Sequence, residues 1–299
     1  MILPDLSELV AMRASAQGLR LTSRRTARAL HAGGHRSIQR GRGLEFQEVR
    51  PYVNGDDPRT IDWRVTARRG RPHTKLFREE RERPVWLLVD LHPAMFFGTR
   101  KQLKSGVAAR AAALLAWAGA GGGDRVGAVI IGGSTSRIIP PRARENGVLS
   151  VLAALVDMQP VGPALSSSVT LDDGVRALVP LAHPGSLILT LSDFAVLDAG
   201  TDPAWTSLGV HNEFQLFRVT DPLERDALPD GRFRIGLNGR STTIDGARSR
   251  GAWMERWRER ANRIETLASQ LGAPVTELDT RYPVEEPLRA VLAGKRTAA

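Results

Sequence analysis

The sequence contains no cysteine, which excludes disulfide bonds, thiolate metal sites and cysteine nucleophiles together. Aromatic residues make up only 5% of the chain, so it offers few platforms on which nucleic-acid bases could stack. The phosphate-binding pattern G-x-x-x-x-G-K-[ST] is absent, and any nucleotide chemistry must therefore belong to another chain. The longest apolar run, 111–123, is too short to span a bilayer, and residues 1–10 lack a signal-peptide pattern. These absences predict a soluble, cytoplasmic protein.

The formal net charge is +10, and it is concentrated near the start of the chain. Residues 1–83 hold 18 Lys and Arg against 10 Asp and Glu, a net charge of +8, which leaves +2 for residues 84–299. A basic surface of this kind can meet nucleic acid, anionic lipid or an acidic protein face. Binding to nucleic acid or to an anionic membrane surface therefore stays open as an alternative function, although arginine dominance is also typical of a GC-rich genome.

The middle of the chain alternates between apolar runs and helical patterns. Val85–Val89 is a continuous apolar run that ends at Asp90, and Leu187–Leu191 is a second one that ends at Ser192-Asp193. Such runs are typical of strands buried on both faces of a parallel sheet. Further strands are predicted at 126–131, 214–219 and 275–278, with helices at 100–118, 146–157 and 252–271. The alternation predicts right-handed βαβ units and a doubly wound, mostly parallel α/β sheet.

The patterns divide the chain into three segments: a basic N-terminal extension (1–83), an α/β domain (84–285) and a C-terminal tail (286–299). In the extension, a helix is expected over residues 5–31 and short strands over 44–53, 61–67 and 74–80. A late hairpin is expected over 232–244, where Asn238-Gly239 is typical of a type I′ turn.

Two carboxylates follow predicted strands at the edge where ligands bind in open α/β sheets. Asp90 follows the first strand of the domain, and Asp193 follows a later one. If both strands are central, both carboxylates reach the same crevice. Together with nearby hydroxyls they would form an oxygen-rich site of the kind that Mg²⁺ prefers.

This arrangement resembles the von Willebrand factor A-type domain. The resemblance implies a metal-ion-dependent adhesion site, in which D-x-S-x-S follows the first strand, and it makes Asp90, Thr170 and Asp193 the candidate Mg²⁺ ligands. The sequence departs from that pattern because His92 and Ala94 stand where the two serines belong, so the expected site is degenerate. Alternatively, Asp90 and Asp193 act as hydrogen-bonding anchors of their loops, and His92 itself contacts a partner.

Motifs on both sides of residue 83 closely resemble the signature of the bacterial family called domain of unknown function 58. They are Gly41–Phe46, Val49–Tyr52, Gly55–Arg59, Ile61–Trp63, Thr66–Arg68, Glu79–Arg81, Lys104-Ser105, Gly123–Gly127, Ser192–Phe194 and Asp221–Glu224. The resemblance extends from about residue 20 to residue 285. It implies a non-enzymatic adaptor that acts with a MoxR-type AAA+ ATPase in chaperone-like assembly or activation of other proteins.

The signature admits a structural and a functional interpretation. Asp56, Asp57 and Asp62 could pair with Arg59, Arg64 and Arg68 in an ion-pair network, with Trp63 as an apolar anchor. Alternatively, a partner-facing surface is formed by Asp56, Asp57, Arg59, Asp62 and Trp63. A third alternative is a hydrolase that uses Ser192 with His92, although the G-x-S-x-G elbow is missing.

Overall fold

The computed structural model describes residues 3–21, 44–53, 56–79, 83–163, 168–195, 197, 202–237 and 240–293. The chain divides into a larger unit, residues 1–28 with 83–299, and a smaller unit, residues 29–82. In the described residues the strands are β1 (Leu44–Pro51), β2 (His73–Glu79), β3 (Pro84–Asp90), β4 (Arg125–Ile131), β5 (Ser136–Arg142), β6 (Leu187–Ser192), β7 (Glu213–Thr220), β8 (Arg232–Leu237), β9 (Arg240–Asp245) and β10 (Val275–Asp279). The helices are α1 (Leu6–Ala16), α2 (Trp63–Arg69), α3 (Lys104–Gly121), α4 (Arg144–Asp157), α5 (Leu171–Leu178), α6 (Pro203–His211), α7 (Pro222–Asp226), α8 (Gly246–Leu271) and α9 (Glu285–Leu292).

The larger unit is built on a six-stranded sheet in the order β10-β7-β6-β3-β4-β5. All neighbours in this sheet are parallel except β4 and β5. β3 lies between β6 and β4, and its apolar run Val85–Val89 is buried throughout because helices cover both faces. The predicted open, doubly wound, mostly parallel α/β sheet is confirmed.

The side chains of β3 alternate between two hydrophobic clusters. Val85, Leu87 and Val89 belong to one cluster, which also takes in α1, α3, α4 and α9. Trp86 and Leu88 belong to the other, with α5, α6 and α8. Successive side chains of a strand point to opposite faces of the sheet, so β3 contributes to both hydrophobic clusters. Packing on both faces therefore fixes the position of its carboxyl end.

Three predicted boundaries in the larger unit were wrong. The first helix ends at Ala16 rather than residue 31, because Gly18 follows in the left-handed region with φ 77°; residues 22–31 lie outside the described residues. α1 packs on α3 within the larger unit, although the division at residue 83 assigned it to the extension. At the other end, residues expected as a tail form α9, whose Leu288 and Leu292 are buried in the core.

The late hairpin is present as β8 and β9, which pair antiparallel from Arg232 opposite Asp245 to Leu237 opposite Arg240. Its predicted Asn238-Gly239 turn lies outside the described residues. The helix that follows begins at Gly246, earlier than predicted, because Asp245 caps it by accepting a hydrogen bond from the Arg248 amide. None of the described helices is both long enough and apolar enough to span a bilayer.

In the smaller unit, β1 and β2 pair antiparallel. The segment 61–67 was expected to be extended, but its residues from Trp63 onwards belong to α2, and only Ile61, before the helix, pairs with a strand residue. Asp62 caps the helix at its start, and Gly70, in the left-handed region with φ 68°, ends it. These two caps outweigh the β-propensity of the apolar residues between them.

Candidate functional site

Three aspartates lie at the carboxyl ends of neighbouring strands in the larger unit. Asp90 ends β3, Asp193 directly follows β6, and Asp221 directly follows β7. Because these strands are parallel and adjacent, their ends meet at the edge of the sheet where α/β proteins bind ligands. All three side chains are buried, so each must find its partners within the protein.

Asp90 is held by the loop that follows it and by the neighbouring strand. Its Oδ1 accepts a hydrogen bond from the His92 amide at 3.1 Å and lies 2.7 Å from His92 Nδ1, which must be the donor because a carboxylate only accepts. Its Oδ2 accepts from the Ser192 hydroxyl at 2.7 Å. Ser192 Oγ in turn accepts from the Phe194 amide at 2.9 Å, where Phe194 adopts the left-handed conformation. One carboxylate therefore fixes the two loops after β3 and β6.

Asp193 is paired with a buried lysine. Lys104 is the first residue of α3 and is 2% exposed, and its Nζ donates to Asp193 Oδ2 at 2.6 Å and to Glu224 Oε1 at 2.8 Å. The other oxygen, Asp193 Oδ1, accepts from the Ala195 amide at 2.9 Å. Lys104 thus joins the ends of β6 and β7 to the start of α3 through two carboxylates.

The electrostatics keep this cluster charged. Burial by itself raises the pKa of Asp193, but the positive charges of Lys104 and His92 outweigh it and lower the pKa to about 2. Burial disfavours the Lys104 ammonium, yet Asp193 and Glu224 raise its pKa above the ordinary value. Burial by itself lowers the pKa of His92. The hydrogen bond to Asp90 and the negative charges of Asp90 and Asp193 outweigh burial, so the pKa of His92 is raised above its ordinary value.

The depressed pKa of Asp193 predicts how its contribution to stability depends on pH. The ionised side chain should contribute fully above the unfolded pKa of about 3.9 and lose that contribution as the pH falls towards about 2. Urea unfolding of the wild type and of Asp193→Asn, compared from neutral pH downwards, should show a stability difference that shrinks below about pH 4. A difference that is constant down to the acid limit would show that Asp193 is not ionised in the fold.

The residues present do not fit the Mg²⁺ site that the von Willebrand-type resemblance implies. Asp90, His92 and Asp193 do bring one ligand-type atom each to within 4.8 Å of one another. However, all four oxygens of the two aspartates already accept hydrogen bonds from the protein, one of them from the Lys104 ammonium. Mg²⁺ requires a near-octahedral set of oxygens, and the loop supplies an imidazole and Ala94 where hydroxyls are needed.

Thr170, the third expected ligand, lies at the start of α5. Its hydroxyl donates to Asp173 Oδ2 at 2.8 Å and accepts from the Asp173 amide at 3.2 Å, and the Asp173 side chain accepts from the Thr170 amide in return. This reciprocal pair is a capping box. The structure therefore gives Thr170 the role of a helix cap.

Asp221 is the centre of a second buried network. Its carboxylate accepts from the Thr99 amide at 2.8 Å, the Thr99 hydroxyl, the Thr280 hydroxyl at 2.6 Å and the Leu223 amide at 3.0 Å. Burial raises its pKa, and the hydrogen bonds from Thr280 and Thr99 more than offset that, so the pKa is lowered. Asp221 thus ties the loop before α3 and the end of β10 to the end of β7.

The structural roles of Lys104 and Asp221 were missed by sequence reasoning, which noted both residues only as parts of the family motifs. One signal was available for Lys104. It is one of four lysines in the chain and stands at the start of an otherwise Ala- and Leu-rich helix, where a solvated charge is out of place. Asp221 carries no comparable signal, since Asp-Pro is an ordinary helix start.

In the smaller unit, the acidic residues of the signature act mainly as caps. Asp57 Oδ1 accepts from the Arg59 amide at 2.9 Å, and Asp62 Oδ1 accepts from the amides of α2 that follow it. Asp56 Oδ1 accepts from Arg50 Nη2 at 2.7 Å. In the part of the chain that the structure describes, these aspartates therefore form helix caps and the Arg50–Asp56 pair.

Trp63 does not act as an apolar anchor, contrary to that structural interpretation. It is the first residue of the short helix α2, which contains no buried residue, and Trp63 itself is 70% exposed. The side chains of Arg59, Arg64 and Arg68 are exposed around the same helix. The smaller unit therefore presents an uncovered tryptophan in a basic setting, a composition typical of protein interfaces.

Comparison with known proteins gives one family and several distant structures. The family model described as "Protein of unknown function DUF58" matches residues 48–262. Uncharacterized protein Rv1480 of Mycobacterium tuberculosis (strain ATCC 25618 / H37Rv) and uncharacterized protein Mb1516 of Mycobacterium bovis are each 35% identical over 151 residues. The match spans 50% of this chain and 47% of each relative, about half the length of either.

Among solved structures, an aerotolerance-related membrane protein from Bacteroides fragilis is 15% identical with a TM-score of 0.46, covering 70% of this chain and 96% of that one. BatB from Bacteroides thetaiotaomicron is 12% identical with a TM-score of 0.43, covering 71% and 96%. A von Willebrand factor type A protein from Catenulispora acidiphila is 13% identical with a TM-score of 0.41, covering 75% and 44%.

Proposed function

The chain belongs to the family of proteins of unknown function DUF58, and on that premise we propose that it is a non-enzymatic, protein-binding adaptor. Its partner in this proposal is a MoxR-type AAA+ ATPase, with which it acts in the cytoplasm in chaperone-like assembly or activation of other proteins. The observation that best supports a binding role is the exposure of Trp63. Its side chain is 70% exposed and is surrounded in the sequence by exposed arginines. Tryptophan and arginine are the residues most enriched among interface hot spots.

The geometry at the strand ends supports a role without catalysis. A serine hydrolase needs its hydroxyl hydrogen-bonded to a base. Ser192 instead donates to Asp90 Oδ2 and is fully buried, while His92 donates to the other oxygen of the same carboxylate. The Ser192 hydroxyl is therefore committed to Asp90 rather than to the imidazole, and this arrangement favours loop anchoring over nucleophilic attack.

The division of labour with an ATPase is supported by the sequence. The chain carries no phosphate-binding loop of the G-x-x-x-x-G-K-[ST] type, so energy from ATP would have to come from a partner. The buried ion pairs at the strand ends hold the loops of the α/β unit in one arrangement, as a docking platform requires. His92, with 9% of its surface exposed, is the contact residue of this cluster in the proposal.

Affinity capture tests the proposal. The tagged full-length chain is recovered from its native cells with Mg²⁺ and a slowly hydrolysed ATP analogue, and the bound proteins are identified by mass spectrometry. We expect an AAA+ ATPase with the wild type, and at least about tenfold less of it with Trp63→Ala, since a hot-spot tryptophan contributes about 2 kcal/mol or more. Val161→Ala, at a fully exposed apolar side chain of the larger unit, is the control and should capture as the wild type does.

Two results would contradict the adaptor. Nucleic acid or membrane lipid recovered without an ATPase, in amounts that fall steeply with salt, would assign the function to the basic residues alone. Equal capture by the wild type and Trp63→Ala would show that the signature surface is not the interface. Circular dichroism of the variant confirms that any loss is not caused by unfolding.

A further inference from the structure

We propose that the ammonium group of Lys104 takes the place of the divalent cation at the von Willebrand-type corner of this sheet, so that Asp193 has its counter-ion without metal. The carboxylate that a von Willebrand-type site gives to its ion, Asp193, is here 2.6 Å from Lys104 Nζ. The second carboxylate on the same nitrogen is Glu224, from the helix after β7. This inference concerns the strand-end cluster and does not depend on the identity of a partner.

Apart from its two carboxylates and the Phe97 ring 5.5 Å away, the surroundings of Lys104 are unfavourable for a cation. A cation at the first residue of a helix faces the positive end of the helix dipole. An ammonium that is 2% exposed also loses almost all of its hydration. Two carboxylates within hydrogen-bonding distance compensate for both losses. A lysine that pointed to solvent would avoid them entirely, so its burial indicates a role as counter-ion.

A divalent ion would compete directly with this lysine. An ion bound to Asp193 Oδ2 would lie next to the ammonium that already donates to that oxygen, and two cations repel strongly in a buried site. The oxygens of Asp90 are occupied by Ser192 and His92, and the second serine position is Ala94. The cluster thus supplies its own positive charge where the D-x-S-x-S pattern supplies hydroxyls for a metal.

A consequence for recognition rests on the proposed function. In a metal-dependent adhesion site the ion accepts a carboxylate from the partner. Here the ammonium is buried and donates to Asp193 and Glu224, so a partner that docks at the strand ends contacts protein groups rather than an ion. Binding should therefore not require a divalent ion at the adaptor.

Metal titration of the full-length chain tests the inference. Mn²⁺, which replaces Mg²⁺ and is detected by electron paramagnetic resonance, is titrated into the wild type, Lys104→Ala and the control Lys101→Ala, which removes an exposed lysine three residues earlier. We expect the wild type and Lys101→Ala to bind no Mn²⁺ at millimolar concentration, and to melt at the same temperature with Mg²⁺ or with EDTA. Lys104→Ala should melt at a lower temperature, and Mn²⁺ should restore part of the difference by binding at the vacated position.

Stoichiometric Mn²⁺ binding by the wild type that is lost in Asp193→Asn would overturn the inference, whether or not Lys104→Ala folds. A folded Lys104→Ala that gains nothing from Mn²⁺ would equally contradict the claim that Lys104 stands at a cation position. Because no partner enters these measurements, failure to capture an ATPase would leave them unaffected. Conversely, a metal-binding wild type would leave the adaptor proposal standing.

Discussion

Replacing Lys104 by methionine is expected to lower the free energy of unfolding by about 3–5 kcal/mol, the loss typical of a buried ion pair from which one partner is removed. Methionine keeps an unbranched apolar stem like that of lysine but leaves Asp193 and Glu224 without their shared cation. Urea denaturation near neutral pH measures the change. Lys101→Met, at an exposed lysine before the same helix, is the matched control and should change stability by less than about 0.5 kcal/mol.

A double variant separates lost attraction from lost packing. If uncompensated carboxylates cause the loss, adding Asp193→Asn to Lys104→Met should recover part of it, because one buried charge is then removed. Additive losses in the double variant, or a Lys104→Met protein as stable as the wild type, would show that the ammonium is not the counter-ion of Asp193.

Asp221→Ala is expected to cost more than about 3 kcal/mol, since hydrogen bonds to a charged group contribute roughly 1.5–3 kcal/mol each and this carboxylate accepts four. The substitution leaves the Thr99 and Thr280 donors without their acceptor and frees the loop before α3. Asp221→Asn should lower the free energy of unfolding by less than Asp221→Ala does, because the amide oxygen can still accept hydrogen bonds. It should still be less stable than the wild type, because the amide nitrogen faces donors. Urea denaturation at neutral pH provides the comparison.

Asp226→Ala is the control for this network. Asp226 lies five residues later, is largely exposed and pairs with Arg225 at the surface, so its removal should cost less than about 1 kcal/mol. Similar losses for Asp221→Ala and Asp226→Ala would mean that the buried network does not hold the ends of the strands together. In that case the loop before α3 must be fixed by other contacts.

The central sheet could be predicted from the sequence because burial on both faces leaves a direct pattern. Val85–Val89 and Leu187–Leu191 are continuous apolar runs, and such runs indicate covered parallel strands without any knowledge of their neighbours. The same runs end at Asp90 and Asp193, which placed two members of the site correctly at one edge of the sheet. His92 followed from its position in the loop.

Local capping decided the elements that were predicted wrongly. The apolar and β-branched residues of 61–67 favour a strand. However, Asp62 caps the start of a helix in this segment and Gly70 caps its end. α1 ends at Ala16, although the composition of the residues after it is also typical of a helix. It ends there because Gly18 adopts the left-handed conformation, which does not continue a helix. Propensity summed over a window does not reveal which single residue will terminate an element.

The partners of the buried charges could not be read from the sequence because they lie far apart in it. Lys104 reaches Asp193 across 89 residues, and Asp221 reaches Thr99 across 122. A sequence pattern shows that an aspartate follows a strand but not which cation faces it. That missing cation is the difference between the Mg²⁺ site implied by the resemblance and the lysine-neutralised cluster in the structure.

The measurement that most directly tests the central claim is the affinity of the purified full-length chain for the purified MoxR-type AAA+ ATPase, by calorimetry with Mg²⁺ and a slowly hydrolysed ATP analogue. The adaptor account predicts saturable binding that weakens at least about tenfold with Trp63→Ala and is unchanged with Val161→Ala. The absence of binding by the wild type, or equal binding by the wild type and Trp63→Ala, would contradict it.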